Sequence, residues 1–229
     1  MKYLIVNGDD FGSSRGINRG IIEAHTRGIL TSASLVVKSL WAEDAIILAD
    51  HCPAMSIGLH VDLPDPGVSA SPAKQTDLRD ELQLQFYLFR ELTGRAPTHL
   101  DSHHNIHRHP AFVREFISLA ATHHLPLRGH SLVRYFPDFY GQWNGQSHPG
   151  QIGVENLTSM LGRDIGDGVT ELSCHPGYMD TDFSSSYFVE RTIELRTLCD
   201  PRIRAALDAE SIQLINYATL PVLTSEVPV

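Results

Sequence analysis

Tyr3-Leu4-Ile5-Val6-Asn7-Gly8-Asp9-Asp10-Phe11-Gly12 opens the chain, and its first residues read as a short buried strand that runs into a carboxylate pair. In parallel α/β folds the C-terminal strand ends share one face, and ligands and catalytic groups gather there. Ile17 to Arg27 follows as a helix, with Ser13 or Ser14 available as its N-cap and Gly28 as its stop. A strand, an acidic turn and a helix within the first 28 residues set a pattern that the rest of the chain repeats.

Further strands are predicted over Ser34 to Val37, Met55 to Leu59, His99 to His103, Leu125 to Leu127, Val169 to Ser173 and Gln213 to Asn216. Helices are predicted over Ala42 to Ala49, Leu78 to Leu92, Ala111 to Thr122, Gly153 to Leu161, Tyr187 to Leu198 and Ile203 to Ala209. Leu63 to Lys74, with Pro64, Pro66, Gly67 and Pro72, reads as a loop. Gly129 to Gln151, rich in aromatic residues from Tyr135 to Trp143, reads as an irregular loop over the site. Strand and helix alternate about seven times, which implies a mostly parallel sheet with right-handed crossovers. Seven units suit a distorted (β/α) barrel better than an open sheet, and no composition shift divides residues 1–229 into more than one domain.

Composition narrows the function. The formal charge of −9, from 18 Lys+Arg against 27 Asp+Glu, opposes nucleic-acid binding and adhesion to anionic membranes. Cys52, Cys174 and Cys199 form no CxxC pair and read as reduced thiols in a cytoplasmic protein. The N-terminus reaches its Asp pair too quickly to hold a signal peptide's apolar region, and no apolar run approaches a membrane span of roughly 18 residues.

The residues suited to chemistry stand at the expected strand ends. A close Asp9–Asp10 pair implies a cation or a functional difference in pKa. His60 ends the third strand. His99, Asp101 and His103 share one face by period two; His103, nearest the strand's end, is the natural metal ligand, with Asp101 below it fixing an imidazole. His175 follows an apolar strand and precedes Pro176-Gly177, a turn that would hold its ring where it can give a proton to a leaving group. Arg128 could orient Asp9 by a charge-assisted hydrogen bond or serve an ordinary ion pair. Cys174 reads as core packing, and neither a Gly-x-Ser-x-Gly elbow nor a P-loop occurs. The set as a whole points to a metal-dependent hydrolase.

These motifs resemble the YdjC-like carbohydrate deacetylase family, which includes chito-oligosaccharide deacetylases and hopanoid-associated relatives. The likeness runs almost end to end: Asn7 to Gly12, Gly16-Ile17-Asn18 to Gly28, Thr31 to Ser34, Gly58 to Leu63, His99 to His107, Cys174 to Tyr178, and Arg191. It implies a polysaccharide-deacetylase-like (β/α) barrel that hydrolyses an N-acetyl group of an amino sugar. By that likeness Asp10, His60 and His103 would hold one divalent metal ion, Zn²⁺ or Mg²⁺ first, with Mn²⁺, Co²⁺ and Ni²⁺ also suited to the ligands. Asp9 would be the general base and His175 the general acid. Asp101, His107, Arg128 and Tyr178 would touch substrate or brace the ligands, and a homodimer is a family-level expectation. One departure stands out: Asn105 replaces a family histidine and cannot transfer protons, and His104 beside it would point the other way on a strand.

The residues alone leave other readings open. The same ligands would serve hydrolysis of another amide, an ester or a phosphate. Two His and one carboxylate also describe a non-haem Fe(II) site. A non-catalytic sugar-binding protein on the same scaffold is a third reading, disfavoured by the presence of both Asp9 and His175.

Overall fold

The computed structural model describes residues 1–64, 74–180 and 185–220. Strand β1 (Lys2–Phe11) leads into α1 (Arg15–Arg27), β2 (Ser32–Leu35), α2 (Ala42–Ala49), β3 (Ser56–Val61), α3 (Lys74–Thr93), β4 (Leu100–Ser102) and α4 (Val113–His123). After α4 come β5 (Arg134–Phe136), a hairpin of β6 (Gln142–Trp143) and β7 (Gln146–Ser147), α5 (Val154–Asp164), β8 (Gly168–Cys174), α6 (Val189–Leu198), α7 (Pro201–Ala209) and β9 (Ile212–Leu214). One seven-stranded sheet runs β4-β3-β2-β1-β8-β5, with β9 also paired to β1, and every pair in it is parallel. Residues 65–73 of the loop expected over Leu63 to Lys74 lie outside the described residues. No helix among the described residues is long and apolar enough to cross a membrane.

β1 is the spine because it is long enough to serve several neighbours. Lys2–Gly8 pairs with β8, while the other edge takes β9 at Lys2–Leu4 and β2 from Asn7 to Phe11. Period two divides its side chains. Leu4 and Val6 join the apolar cluster that includes Ile17 and Ile21 of α1, whereas Ile5 packs in a second cluster with Val133 and Tyr217. Asn7 and Asp9 continue the inward row: the Asn7 amide donates to Ser34 Oγ and to Asp9 Oδ1, each at 2.8 Å. The interior of the curled sheet is therefore largely polar, unlike the layers of branched aliphatic residues that fill a common (β/α)8 barrel.

Several boundaries differ from expectation for identifiable reasons. Ser14 caps α1, its Oγ accepting from Ile17 N at 3.2 Å, so the helix starts at Arg15. Leu125 to Leu127 is not a strand; it makes a single parallel bridge, Leu100 with Leu127. The stretch expected to be irregular contains β5, paired along β8, and a hairpin whose Asn144-Gly145 tip has φ of 53° and 69°. That pair of positive φ values is the tight turn that Asn-Gly favours. β4 ends at Ser102, and a 3₁₀ segment spans His103–Arg108, with His104 and Asn105 both left-handed. His103 consequently leaves the sheet on a turn rather than continuing the strand face that His99 and Asp101 share.

α1 lies directly on the turn after His175. Tyr178 N donates to Gly16 O at 3.0 Å, and a Cβ at Gly20 would stand 2.5 Å from Gly177 Cα. Backbone on both sides cannot yield as a flexible side chain would. Gly20→Ala is therefore expected to cost about 1–3 kcal/mol as an overpacked contact. That corresponds to a melting point lower by roughly 2–12 °C for a chain of this size. An unchanged Tm in thermal denaturation would show that the turn is not held against α1.

Candidate active site

Parallel pairing brings the ends of β1, β3, β4 and β8 to one rim, around a cavity of about 560 Å³. Asp9, Asp10, His60, His103 and His175 all line it. The adjacent aspartates both reach the cavity because β1 slips its register against β2 between Gly8 and Phe11, with Asp10 at φ 67°. A bulge re-aims a side chain that strict alternation would send to the opposite face.

Asp10 is the centre of one cluster. Its Oδ1 lies 3.0 Å from His103 Nδ1 and 3.3 Å from His60 Nε2, and its Oδ2 accepts from Arg191 Nη2 at 2.5 Å. Burial opposes its charge, but Arg191, His103 and His60 outweigh that and hold the carboxyl well below the usual carboxylate range. His60 Nδ1 is 2.8 Å from Asp101 Oδ1, which fixes the ring and turns Nε2 toward Asp10. Burial disfavours the His60 cation as well, yet Asp101 and Asp10 push this imidazole up to about 10.

Asp9 belongs to a second network, deeper in the sheet. Arg128 donates to both Asp9 oxygens at 2.7 Å, to Glu171 Oε1 through Nε at 2.9 Å, and approaches Asp101 Oδ2 to 2.7 Å. The guanidinium is fully buried and serves carboxylates from β1, β4 and β8. Burial alone would raise the Asp9 carboxyl; the charge and hydrogen bonds of Arg128 more than offset it and keep Asp9 ionised. Tyr217 donates to Glu171 Oε2 at 2.7 Å, and Ser34 donates to Asp101 Oδ2 at 2.7 Å. His99, stacked on Tyr217, is pulled down to about 4 by burial. A Cβ on Gly58 would fall 2.4 Å from the His99 ring, so this corner of the network depends on a glycine.

His175 stands between two carboxyl groups, Nε2 at 3.9 Å from Asp9 Oδ2 and Nδ1 at 4.0 Å from Glu194 Oε1. Burial takes this imidazole down to about 4, against the pull of Asp9 and Asp10. Tyr140 and Tyr187, stacked on each other 4.6 Å apart, meet its ring edge-on.

The remaining expected residues divide. Asp101 and Arg128 sit beneath the cluster as described. His107 is fully buried and braces the backbone, Nδ1 on Ser102 Oγ at 2.7 Å and Nε2 on the Arg128 carbonyl at 3.1 Å, without lining the cavity. Tyr178 is outside the cavity, its hydroxyl donating to Glu23 and its ring beneath Arg19. His104 packs against His103 with the rings tilted and their centroids 3.9 Å apart, and it also lines the cavity, an orientation that the turn provides and a strand would not. Asn105 donates to Tyr135 Oη at 3.4 Å. Sequence reasoning assigned no role to Arg191, Glu194 or Tyr187. On α6 the spacing of Arg191 and Glu194 looks like a solvated i,i+3 pair, although both are buried.

Several known proteins are similar to this chain in sequence or in shape. The chain is 35% identical to the carbohydrate deacetylase of Geobacillus stearothermophilus over 94% of its length and 97% of the relative's. It is 30% identical to the chitooligosaccharide deacetylase of Serratia marcescens, covering 96% of this chain and 99% of that one. A family 4 carbohydrate esterase from Streptomyces lividans, solved in complex with acetate, shares the fold at a TM-score of 0.60 and 15% identity, with 93% and 91% of the two chains covered. A profile of the family described as YdjC-like protein matches residues 3–209, and on that span this chain belongs to the YdjC-like family.

Proposed function

We propose that this protein is a metal-dependent carbohydrate deacetylase that removes the N-acetyl group from an amino sugar or short oligosaccharide. The reading rests on one observation: Asp10, His60 and His103 cluster within a few ångströms beside Asp9 and His175, in a cavity open to substrate. The donor set fits a divalent ion. One carboxylate and two imidazoles can each offer an atom within 4.8 Å of the others, and the carboxylates around His60 favour positive charge at this position. Zn²⁺ suits the nitrogen-rich set, and Mg²⁺ is the second choice. When bound, such an ion supplies Lewis-acid polarisation of the acetyl carbonyl and acidifies water.

The side chains carry the rest. Arg128 holds Asp9 by both oxygens, which aims the carboxylate and keeps it ready to take a proton from the attacking water. His175 faces Asp9 through Nε2 and is the group placed to protonate the departing amine. Asp101 keeps the His60 ring in one tautomer. Tyr140, exposed at the cavity wall, offers a face on which a sugar ring can stack. The relatives named as carbohydrate and chitooligosaccharide deacetylases support the choice of substrate class.

The direct test is acetate release from N-acetylglucosamine and its β-1,4 oligomers by metal-loaded protein, with a chelated sample beside it. Acetate that disappears on chelation supports the reading; none from any acetylated amino sugar, with metal bound, refutes it. A separate calorimetric titration addresses the ligands. His103→Ala is expected to weaken Zn²⁺ binding by more than roughly 100-fold, since outer partners of metal ligands alone are worth about 10- to 100-fold. An unchanged affinity would remove His103 from the site.

A further inference from the structure

Glu194 is wholly buried on α6, and the catalytic scheme above does not use it. Its Oε2 accepts from the His175 backbone N–H, and its Oε1 accepts from the Tyr187 hydroxyl. Tyr187 is in turn fixed by Gly141 N, which donates to its oxygen at 2.8 Å. The carboxyl is thus locked in orientation, with Oε1 4.0 Å from His175 Nδ1. That nitrogen is buried and has no hydrogen-bond partner among the described residues. A buried imidazole nitrogen without a partner is costly unless the working state supplies one. Hydrogen bonds of catalytic groups are often long in the free enzyme and tighten with substrate.

We propose that Glu194 is the positioning residue of His175, holding a proton opposite Nδ1 that moves onto the ring as Nε2 gives its own to the departing amine. This rests on the deacetylase reading. The steps balance. The Nε2–H bond breaks as an N–H bond forms on the amine; the Glu194 proton passes to Nδ1, leaving a neutral imidazole and a carboxylate. The proton that Asp9 took from water then returns through Nε2, and Nδ1 restores the one on Glu194. Around the ring, Asp9 and Asp10 of β1 and Arg191 of α6 supply the nearby charges, with His60 of β3 beyond them, and the Tyr140 and Tyr187 rings close its sides. Among the described residues, Glu194 is the titratable group that faces Nδ1. Burial pushes the Glu194 carboxyl up to about 8 and His175 down to about 4, which favours the proton on the glutamate over the imidazole. That order is what the relay needs.

The test compares metal-loaded wild type, Glu194→Gln and Glu194→Asp. Glutamine keeps the shape and can still accept from the His175 N–H through its carbonyl oxygen, while its amide N–H faces Tyr187 and Nδ1 and has no proton to pass. Glu194→Gln is expected to lower kcat for acetate release about 100-fold, the lower end for general acid–base catalysis. KM should stay within about twofold and Tm nearly unchanged, and Glu194→Asp should recover at least a tenth of the lost rate. A ¹⁵N spectrum of the His175 ring, taken with a non-hydrolysable amino-sugar analogue bound, reads the contact without turnover: its Nδ1 signal should show an accepted hydrogen bond in the wild type and shift in Glu194→Gln. A kcat within threefold of wild type, or rate and Tm falling together with no rescue by aspartate, overturns the proposal. So does an Nδ1 signal that is the same in both proteins. If the wild type releases no acetate while the ¹⁵N shift is seen, the substrate reading has failed and the His175–Glu194 contact stands.

Discussion

Asp9→Asn is expected to reduce kcat for acetate release by about 10³-fold, within the range for removal of a general base. Stability and metal affinity should change little. Asparagine keeps the size of the side chain and can still accept one hydrogen bond from Arg128. The guanidinium loses one anionic partner but retains Glu171 and Asp101. Asp10, His60 and His103 do not bond to Asp9, so their geometry is not disturbed. Acetate assays, calorimetric metal titration and thermal denaturation on one preparation separate the possibilities. A variant that binds metal and melts like wild type yet hydrolyses nothing identifies Asp9 as the base. A kcat within tenfold of wild type would mean that another group takes the proton, and loss of metal affinity would make Asp9 a ligand.

How much of this was legible in the sequence depended on whether local pattern decided the geometry. The strand-end residues were legible because parallel topology alone sends β-strand termini to one rim, whatever the details of packing. His60, His103 and His175 arrived there from segments far apart in sequence. What alternation could not show is the slip in β1. Asp9 and Asp10 both reach the cavity because Asp10 takes φ 67°, a conformation that aspartate tolerates but that its presence in Asp-Asp-Phe-Gly does not dictate. β5 was missed because Arg134-Tyr135-Phe136 is three residues long and owes its form to the edge of β8 rather than to its own propensity. Leu125 to Leu127 carried the apolar signal of a strand but found room for one bridge only. Glu194 was hidden for a different reason. A Glu three residues after an Arg on a helix is ordinarily a solvated pair, and only the packing of α6 against the His175 turn buries both.

The same limit applied to Arg128, and it carries the largest expected effect on stability. The sequence left it between orienting Asp9 and making an ordinary ion pair; the structure places it at the centre of three buried carboxylates. Arg128→Met leaves Asp9 and Glu171 without the guanidinium between them and Asp101 with His60 alone. Removing one member of a buried ion network costs about 3–5 kcal/mol, because the partners stay desolvated. For a chain of this size the melting point should fall by roughly 6–20 °C. The sign of the pH dependence follows. In the wild type burial would raise Asp9 and Asp101, but Arg128 holds both below their ordinary values. Depressed carboxylates contribute stability above their unfolded pKa, near about 4, and lose it as pH falls toward the folded value. In Arg128→Met burial acts on Asp9 with its main opposing charge gone, so its carboxyl should sit above the unfolded value and the penalty grows as pH rises past that point. The gap in Tm between wild type and variant should therefore be widest near neutrality and narrow toward pH of about 4. Adding Glu171→Gln removes one of the stranded charges and should restore part of the loss, which a variant that merely left a cavity would not show. A Tm within a few degrees of wild type at neutral pH, or a gap independent of pH, would mean that Arg128 is not what neutralises the interior of this sheet.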